Sequence, residues 1–231
     1  MGSDPVSQVY EHFLLLDFEA TCEEGRKIQP IQEIIEFPVI QIESSSFKEC
    51  EQFHCYVRPT KRPFLTTFCT HLTGIECVDE SENLSTVLEM FHKWLLHRNL
   101  IDLNGERTCP WILVTCGDWD LGTQLPSESE YKGLAIKKYF TEWINLKKAF
   151  AEALGYFPNS MSVMLRDLQI EPIGRLHSGI DDVRNMCSIL KALALRGHIF
   201  SPTAKISKAI SSTFPQRVSQ KQLFRRKKGL W

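Results

Sequence analysis

Acids placed where apolar segments end are what this chain first offers to chemistry. Asp17 and Glu19 close the run Phe13-Leu14-Leu15-Leu16 as acid, aromatic, acid. Side chains at i and i+2 of a strand share a face, roughly 7 Å apart at about 3.4 Å rise per residue, so both carboxylates project to one side. Such a pair can hold a hard divalent cation. Mg²⁺ favours a few carboxylates together with waters and phosphate oxygens over a closed protein cage, which leaves room for catalysis. By itself a D-x-E is a weak signal, because acid pairs at strand ends are common and usually only solvated.

Two further segments add to it. Trp111-Ile112-Leu113-Val114-Thr115-Cys116 runs through Gly117-Asp118-Trp119 to Asp120, the pattern of a strand entering a loop and helix at its carboxyl end, where open α/β sheets place their sites. Spacing does not separate Asp118 from Asp120. Later, the glycine-containing turn Gly174 to Gly179 precedes Asp181 and Asp182, after which Val183, Met186, Cys187 and Leu190 fall at helical spacing. Asp182 then belongs to the first helical turn and His177 to the loop before it. A neutral imidazole can take a proton from water near pH 7, its unperturbed pKa being about 6.5. The plain alternative for this segment is an ordinary helix start with Asp181 as its cap. Taken as a set, the residues point to metal-assisted hydrolysis of a nucleotide phosphodiester.

The three elements resemble the DEDDh family of 3′ to 5′ exonucleases, whose signature is D-x-E, a distant Asp, then H-x-x-x-x-D, the spacing of His177 and Asp182. The likeness is to the enhanced-RNAi exonuclease branch. It rests on Asp17-Phe18-Glu19-Ala20-Thr21-Cys22, Glu33-Ile34-Ile35-Glu36-Phe37-Pro38, Leu72-Thr73-Gly74-Ile75, Trp143-Ile144-Asn145-Leu146 and His177-Ser178-Gly179-Ile180-Asp181-Asp182. Val114 to Leu121 looks most like the prion-protein-interacting and Snipper-like exoribonucleases. The resemblance covers about Tyr10 to Thr203.

It implies a ribonuclease-H-like exonuclease fold, with Asp17, Glu19, Asp120 and Asp182 as metal-site carboxylates for two Mg²⁺ ions, replaceable by Mn²⁺, and His177 as general base. It favours Asp120 over Asp118. Glu19 and Ala20 would face the terminal nucleotide with His177 nearby, while Phe18, Trp119 and Leu121 either stack on the terminal base or pack in the core. The implied substrates are RNA 3′ ends, with DNA as a further candidate, and the implied products are 5′-nucleoside monophosphates. Leu176 stands where relatives often carry proline, so the histidine loop is expected to be less rigid. Neither the family's SAP domain nor its zinc module is recognisable, so substrate preferences tied to them are not carried over. A catalytically weak module of the same fold, binding nucleic acid or protein, is the alternative.

Composition fits one soluble domain over residues 10–204, preceded by a flexible terminus 1–9. The chain has 231 residues, 43% of them hydrophobic, and no apolar run approaches the roughly 18 residues of a membrane span. Met1 to Gln8 lacks a signal-peptide pattern. The eight cysteines form no C-x-x-C pair, which argues against a zinc ribbon and for reduced thiols in cytosol or nucleus. A monomer is expected, with protein partners unassigned. Residues 205–231 hold eight basic side chains and no acid, so this segment is +8 and the remainder −9 against a net −1. It reads as a disordered basic tail suited to phosphate or import contacts.

Periodicity places strands at 12–18, 33–42, 47–57, 111–116 and 143–146. Helices fall near 64–71, 84–98, 130–138, 147–154, 161–168 and 181–196. Leu84, Val87, Leu88, Phe91, Trp94 and Leu95 form one apolar stripe. Pro38 inside the second strand marks an edge or a bulge. The expected architecture is a mixed five-stranded α/β sheet flanked by helices, its first three strands joined by hairpins.

Overall fold

The apolar run before Asp17 becomes β1 (His12–Leu16), whose last four side chains are all buried, as a strand covered on both faces requires. The computed structural model describes residues 5–206. β3 (Ile34–Glu43) lies antiparallel to β1 and forms a hairpin with β4 (Lys48–Tyr56). On its other side β1 pairs in parallel with β5 (Trp111–Thr115), and β5 pairs in parallel with β6 (Glu142–Asn145).

Among the described residues the sheet has seven strands, not the expected five. The additions are β2 (Glu19–Ala20), paired with β3, and β7 (Ala204–Lys205), paired with β6. Two residues are too few to carry an alternating pattern, so sequence periodicity passes over them. Pro38 falls between the stretch of β3 paired with β1, which begins at Val39, and the stretch paired with β2, which ends at Glu36. The ladder is already interrupted there on one side, and the proline is tolerated.

Alternation along β1 divides the core. Phe13 and Leu15 pack under α4 (Leu146–Leu154), α5 (Met161–Leu168) and α6 (Gly179–Leu195), while Leu14 and Leu16 face α2 (Leu84–His97) and α3 (Leu125–Lys132). In α2 the predicted stripe is the packed face: Leu84, Val87, Phe91 and Leu95 are buried, and Leu88 and Trp94 lie against them. Asn83 caps this helix by accepting the Thr86 N–H at 3.2 Å. A short α1 (Thr67–Thr73) covers the end of β3 through Cys69 and Ile35.

One helix is displaced from its expected place. The segment read as a helix at 130–138 is α3 at Leu125–Lys132, with proline in its first turn and Gly133 ending it at φ 69°. Proline is pre-set for a helix start and glycine for a left-handed stop, so this helix lies earlier than its apolar residues suggested. Both ends of the expected domain also differ. Gln8, assigned to the flexible terminus, donates to His198 O and accepts from Phe200 N, both at 3.0 Å. Lys205 belongs to β7, and Ile206 N–H reaches Thr141 O at 2.8 Å. The remainder of the basic tail lies outside the described residues. No described helix is long and apolar enough to cross a membrane.

Phe37 is the hub of the second core layer. Its ring meets Phe18 edge-on at 4.8 Å and lies 5.0 Å from Phe91 and 5.4 Å from Phe53. Phe37→Ala is expected to cost about 3–5 kcal/mol, the range for a deleted buried phenylalanine. Urea denaturation checks it, and a loss below about 1 kcal/mol would show that the layer repacks around the gap.

Candidate functional site

Because β1, β5 and β6 are parallel, their carboxyl ends open on one edge of the sheet. Asp17 follows β1 there directly. Glu19 begins β2, opposite Glu36 of β3. Asp120 begins a π-helical turn, Asp120–Gln124, that carries the chain from the end of β5 into α3; such turns are rare and often mark functional sites. Asp182 lies in the first turn of α6, with His177 in the loop before it. One oxygen or nitrogen each from Glu19, His177 and Asp182 lie within 4.8 Å of one another.

Backbone donors seat two of these acids. Asp120 Oδ1 accepts the Phe18 N–H at 2.8 Å, and Asp182 Oδ2 accepts the His177 N–H at 2.8 Å. Burial nonetheless lifts both carboxyls to about 6, those N–H groups only partly opposing it. Glu19 is pushed to about 9 by burial and then by Glu36, Asp182 and Asp120. Asp17 is raised well above the usual carboxylate range, by burial first and then by Asp120, Glu19, Asp182 and Glu36. Without a counter-charge, this cleft resists holding all its acids ionised.

His177 is exposed and has a left-handed backbone at φ 65°, a conformation costing a non-glycine residue roughly 1–3 kcal/mol. The loop that holds it, expected to be less rigid for want of a proline at Leu176, is pinned by its neighbours. The Arg175 N–H donates to Asp181 Oδ2 at 3.0 Å, the Ser178 N–H donates to Arg175 O at 3.2 Å, and the Arg175 guanidinium bonds His71 O. Asp181 therefore braces the loop and pairs with Arg184 at 2.8 Å; it is not the cap of α6.

The geometry separates the two aspartates that spacing left open. Asp118 accepts from Trp143 Nε1 at 3.0 Å and pairs with Lys148 at 2.8 Å. Burial raises its carboxyl, but hydrogen bonds from Lys148, Asn145 and Trp143 outweigh that and hold it below the usual range. Asp118 is thus neutralised within the fold, whereas Asp120 faces the other acids. Phe18 needs correction as a base-stacking candidate: its ring is 4% exposed and packed on Phe37, and its contribution is the N–H that holds Asp120. Leu121 and the Ala20 side chain are also core. Trp119 is 40% exposed beside Asp120 and remains open to a ligand.

Sequence reasoning missed Glu36. It is 2% exposed, raises Asp17, Glu19 and Asp182, and bonds the start of α6 and His54. An acid in the otherwise apolar run Ile34-Ile35-Glu36-Phe37 was the available signal, since a buried carboxylate needs partners.

These groups suit a divalent cation. The donors are hard carboxylate oxygens, and Asp182 Oδ1 is buried without a hydrogen-bond partner, an orphaned acceptor that a cation would satisfy. Burial and then the neighbouring acids are what raise Asp17 and Glu19.

Comparison with known proteins gives the family. The family model described as RNase_T, exonuclease, matches residues 14–190. ERI1 exoribonuclease 3 of Homo sapiens is 47% identical over 201 residues, 86% of this chain, although the chain spans only 58% of that relative's length. The 3′-5′ exonuclease Snipper of Drosophila melanogaster is 34% identical over 213 residues, covering 87% of this chain and 75% of Snipper. Among solved structures, the nuclease domain of 3′hExo, a DEDDh family member bound to rAMP, superimposes with a TM-score of 0.81 at 30% identity, covering 87% of this chain and all of that one. A family model matched over most of the chain, together with these relatives, places this protein in the exonuclease family, in its DEDDh, ERI1-like branch.

Proposed function

We propose that this chain is a 3′ to 5′ exonuclease that hydrolyses RNA from its 3′ end to 5′-nucleoside monophosphates, with DNA as a secondary substrate. The observation that carries the reading is the convergence of Asp17, Glu19, Asp120 and Asp182, with His177 beside them, at one sheet edge. The family implies dependence on a divalent metal; Mg²⁺, with Mn²⁺ as substitute, is the ion we assign. Asp17, Glu19, Asp120 and Asp182 would hold two ions, which when bound supply charge stabilisation for the attacking and leaving oxygens of an in-line displacement.

The remaining roles fall to the chain. His177 takes a proton from the attacking water as its oxygen bonds to phosphorus and the bond from phosphorus to the leaving 3′ oxygen breaks. That exposed position lets it exchange the proton with solvent afterwards. Glu19 and the backbone at Ala20 face the terminal nucleotide, and Trp119 offers its base a stacking surface. The rAMP bound to the similar 3′hExo nuclease domain favours a ribonucleotide end. We assign the protein to the cytosol or nucleus, because its eight cysteines are free thiols of the kind reducing compartments preserve, and we take it to act as a monomer.

Mononucleotide release from matched RNA and DNA oligonucleotides, with free and blocked 3′ ends, tests the reading. Binding without divalent-dependent release would leave a nucleic-acid-binding module instead. In the same assay Asp120→Asn is expected to lose at least about 10²-fold in kcat, a scale typical of misplaced catalytic groups, while Asp118→Asn stays much closer to wild type. The opposite ranking would reverse the assignment.

His177→Ala should lose about 10²- to 10⁴-fold in kcat, the usual worth of a general base, and keep Mg²⁺ affinity measured by calorimetry. Loss of metal binding would make the histidine a ligand and not a base.

Without metal, the acids of the cleft hold protons more tightly folded than unfolded. Stability therefore falls as pH rises from about 4, where the unfolded chain releases those protons, towards about 9, where Glu19 does so in the folded state. Metal-free Glu19→Gln should melt above the wild type at about pH 8, with the gap closing towards about pH 4. Scanning calorimetry across that range decides it, and a gap that widens on acidification would overturn the charge-repulsion account.

A further inference from the structure

Both oxygens of Glu36 are committed to groups far away in the chain. Oε2 accepts the Gly179 N–H at 3.0 Å, and Oε1 accepts the Ile180 N–H at 3.3 Å and meets His54 Nε2 at 2.8 Å. Gly179 and Ile180 are the first two residues of α6, and their N–H groups are among the four that no helix can satisfy from within. The local residue that would ordinarily cap them, Ser178, makes no side-chain bond to the helix. The start of α6 is therefore capped from β3, by an acid 143 positions earlier in the chain.

The contact is tight. A Cβ on Gly179 would lie 2.9 Å from Glu36 Oε2 and 3.0 Å from the carbonyl oxygen of Asp17. Only a residue without a side chain lets the helix approach both strands this closely. On one side of that contact is Asp17, and Glu36 is the sheet partner of Glu19. On the other side, His177 lies two residues before Gly179 and Asp182 three residues after it. One carboxylate thus joins the two halves of the acidic cleft. It does so at an electrostatic cost, since Glu36 adds to the charge that raises Asp17, Glu19 and Asp182. A neutral cap at Ser178 would satisfy α6 without that cost, but it would not tie α6 to β3.

We propose that Glu36 is a positioning residue for the nuclease site: through Gly179 and Ile180 it registers α6 against β1 and β3, so that Asp182 and His177 stand at working distance from Asp17 and Glu19. We assign Glu36 no metal-ligand role, since Oε2 is turned to the Gly179 N–H and Oε1 to the Ile180 N–H and His54. His54, on β4, also bonds Oε1. The proposal rests on the exonuclease reading for its consequence in turnover, but the clamp itself is a property of the metal-free fold.

Glu36→Gln keeps volume and leaves one acceptor where two are needed. It should lower kcat by about 10²-fold, the scale at which a displacement of about 1 Å costs rate, with little change in KM and with Mg²⁺ binding by calorimetry weakened but retained. In metal-free protein the Gly179 and Ile180 amides should lose hydrogen-exchange protection, while amides in the middle of α6 keep theirs. Gly179→Ala, should Glu36→Gln fail to fold, approaches the same contact from the helix side. It should also lower kcat, and Glu36→Asp, which withdraws the carboxylate, should partly rescue it, so that the double variant loses less than the product of the single losses. Wild-type kcat in folded Glu36→Gln, abolished Mg²⁺ binding, or simple multiplication of the two losses would each overturn the clamp. If the wild type releases no mononucleotide at all, the exonuclease reading fails, and the amide exchange still decides the clamp.

Discussion

Like charges held close together and out of water are the constraint around which this structure is arranged. Asp17, Glu19, Glu36, Asp120 and Asp182 share one cleft, and burial together with mutual repulsion pushes the carboxyls of Asp17 and Glu19 far above their ordinary range. Left to itself such a cluster would open. What opposes it is a set of backbone donors. Phe18, between Asp17 and Glu19, holds Asp120; His177 holds Asp182; the first residues of α6 hold Glu36. Asp120 is thereby tied to the segment that carries Asp17 and Glu19, and Glu36 to the helix that carries Asp182.

A second group of buried acids shows what the cleft lacks. Glu33 accepts the N–H groups of Thr60, Lys61 and Arg62 and pairs with Lys132 at 2.8 Å, and Lys132 also reaches Glu128 at 2.7 Å. Glu128 in turn accepts the Ile34 N–H at 2.8 Å. There the fold provides its own cation, and the acids join α3 to the start of β3. Asp118 is treated the same way by Lys148. Among the described residues no lysine or arginine pairs with Asp17, Glu19, Asp120 or Asp182, and that difference, more than the number of carboxylates, distinguishes a site prepared for an external cation from a structural network.

The hydrophobic layers serve the same end. Phe18 is anchored edge-on against Phe37, which fixes the N–H that holds Asp120, while Val183 and Met186 of α6 are buried against the other face of the sheet and fix the direction from which Asp182 arrives. The long helix and the central strands are rigid supports; the functional groups sit on their ends, where side chains can converge without burying unpaired backbone.

Much of this was legible from residue order. Alternation in β1 and the stripe of α2 follow from burial on known periods, and D-x-E, the later aspartate and H-x-x-x-x-D are local spacings that survive folding unchanged. The two-residue strands β2 and β7, the displaced α3 and the docking of Gln8 were not legible, because each is fixed by pairing with distant chain or by a glycine stop and not by its own pattern. Asp118 and Asp120 have nearly the same sequence surroundings; only the positions of Trp143 and Lys148 made one a structural acid and left the other for the cleft. Glu36 is the clearest case. The sequence by itself determined that an acid interrupts an apolar strand, but which groups would satisfy it was decided by tertiary structure, since its donors at Gly179 and Ile180 lie more than 140 residues away and no local pattern encodes a hydrogen bond across that distance.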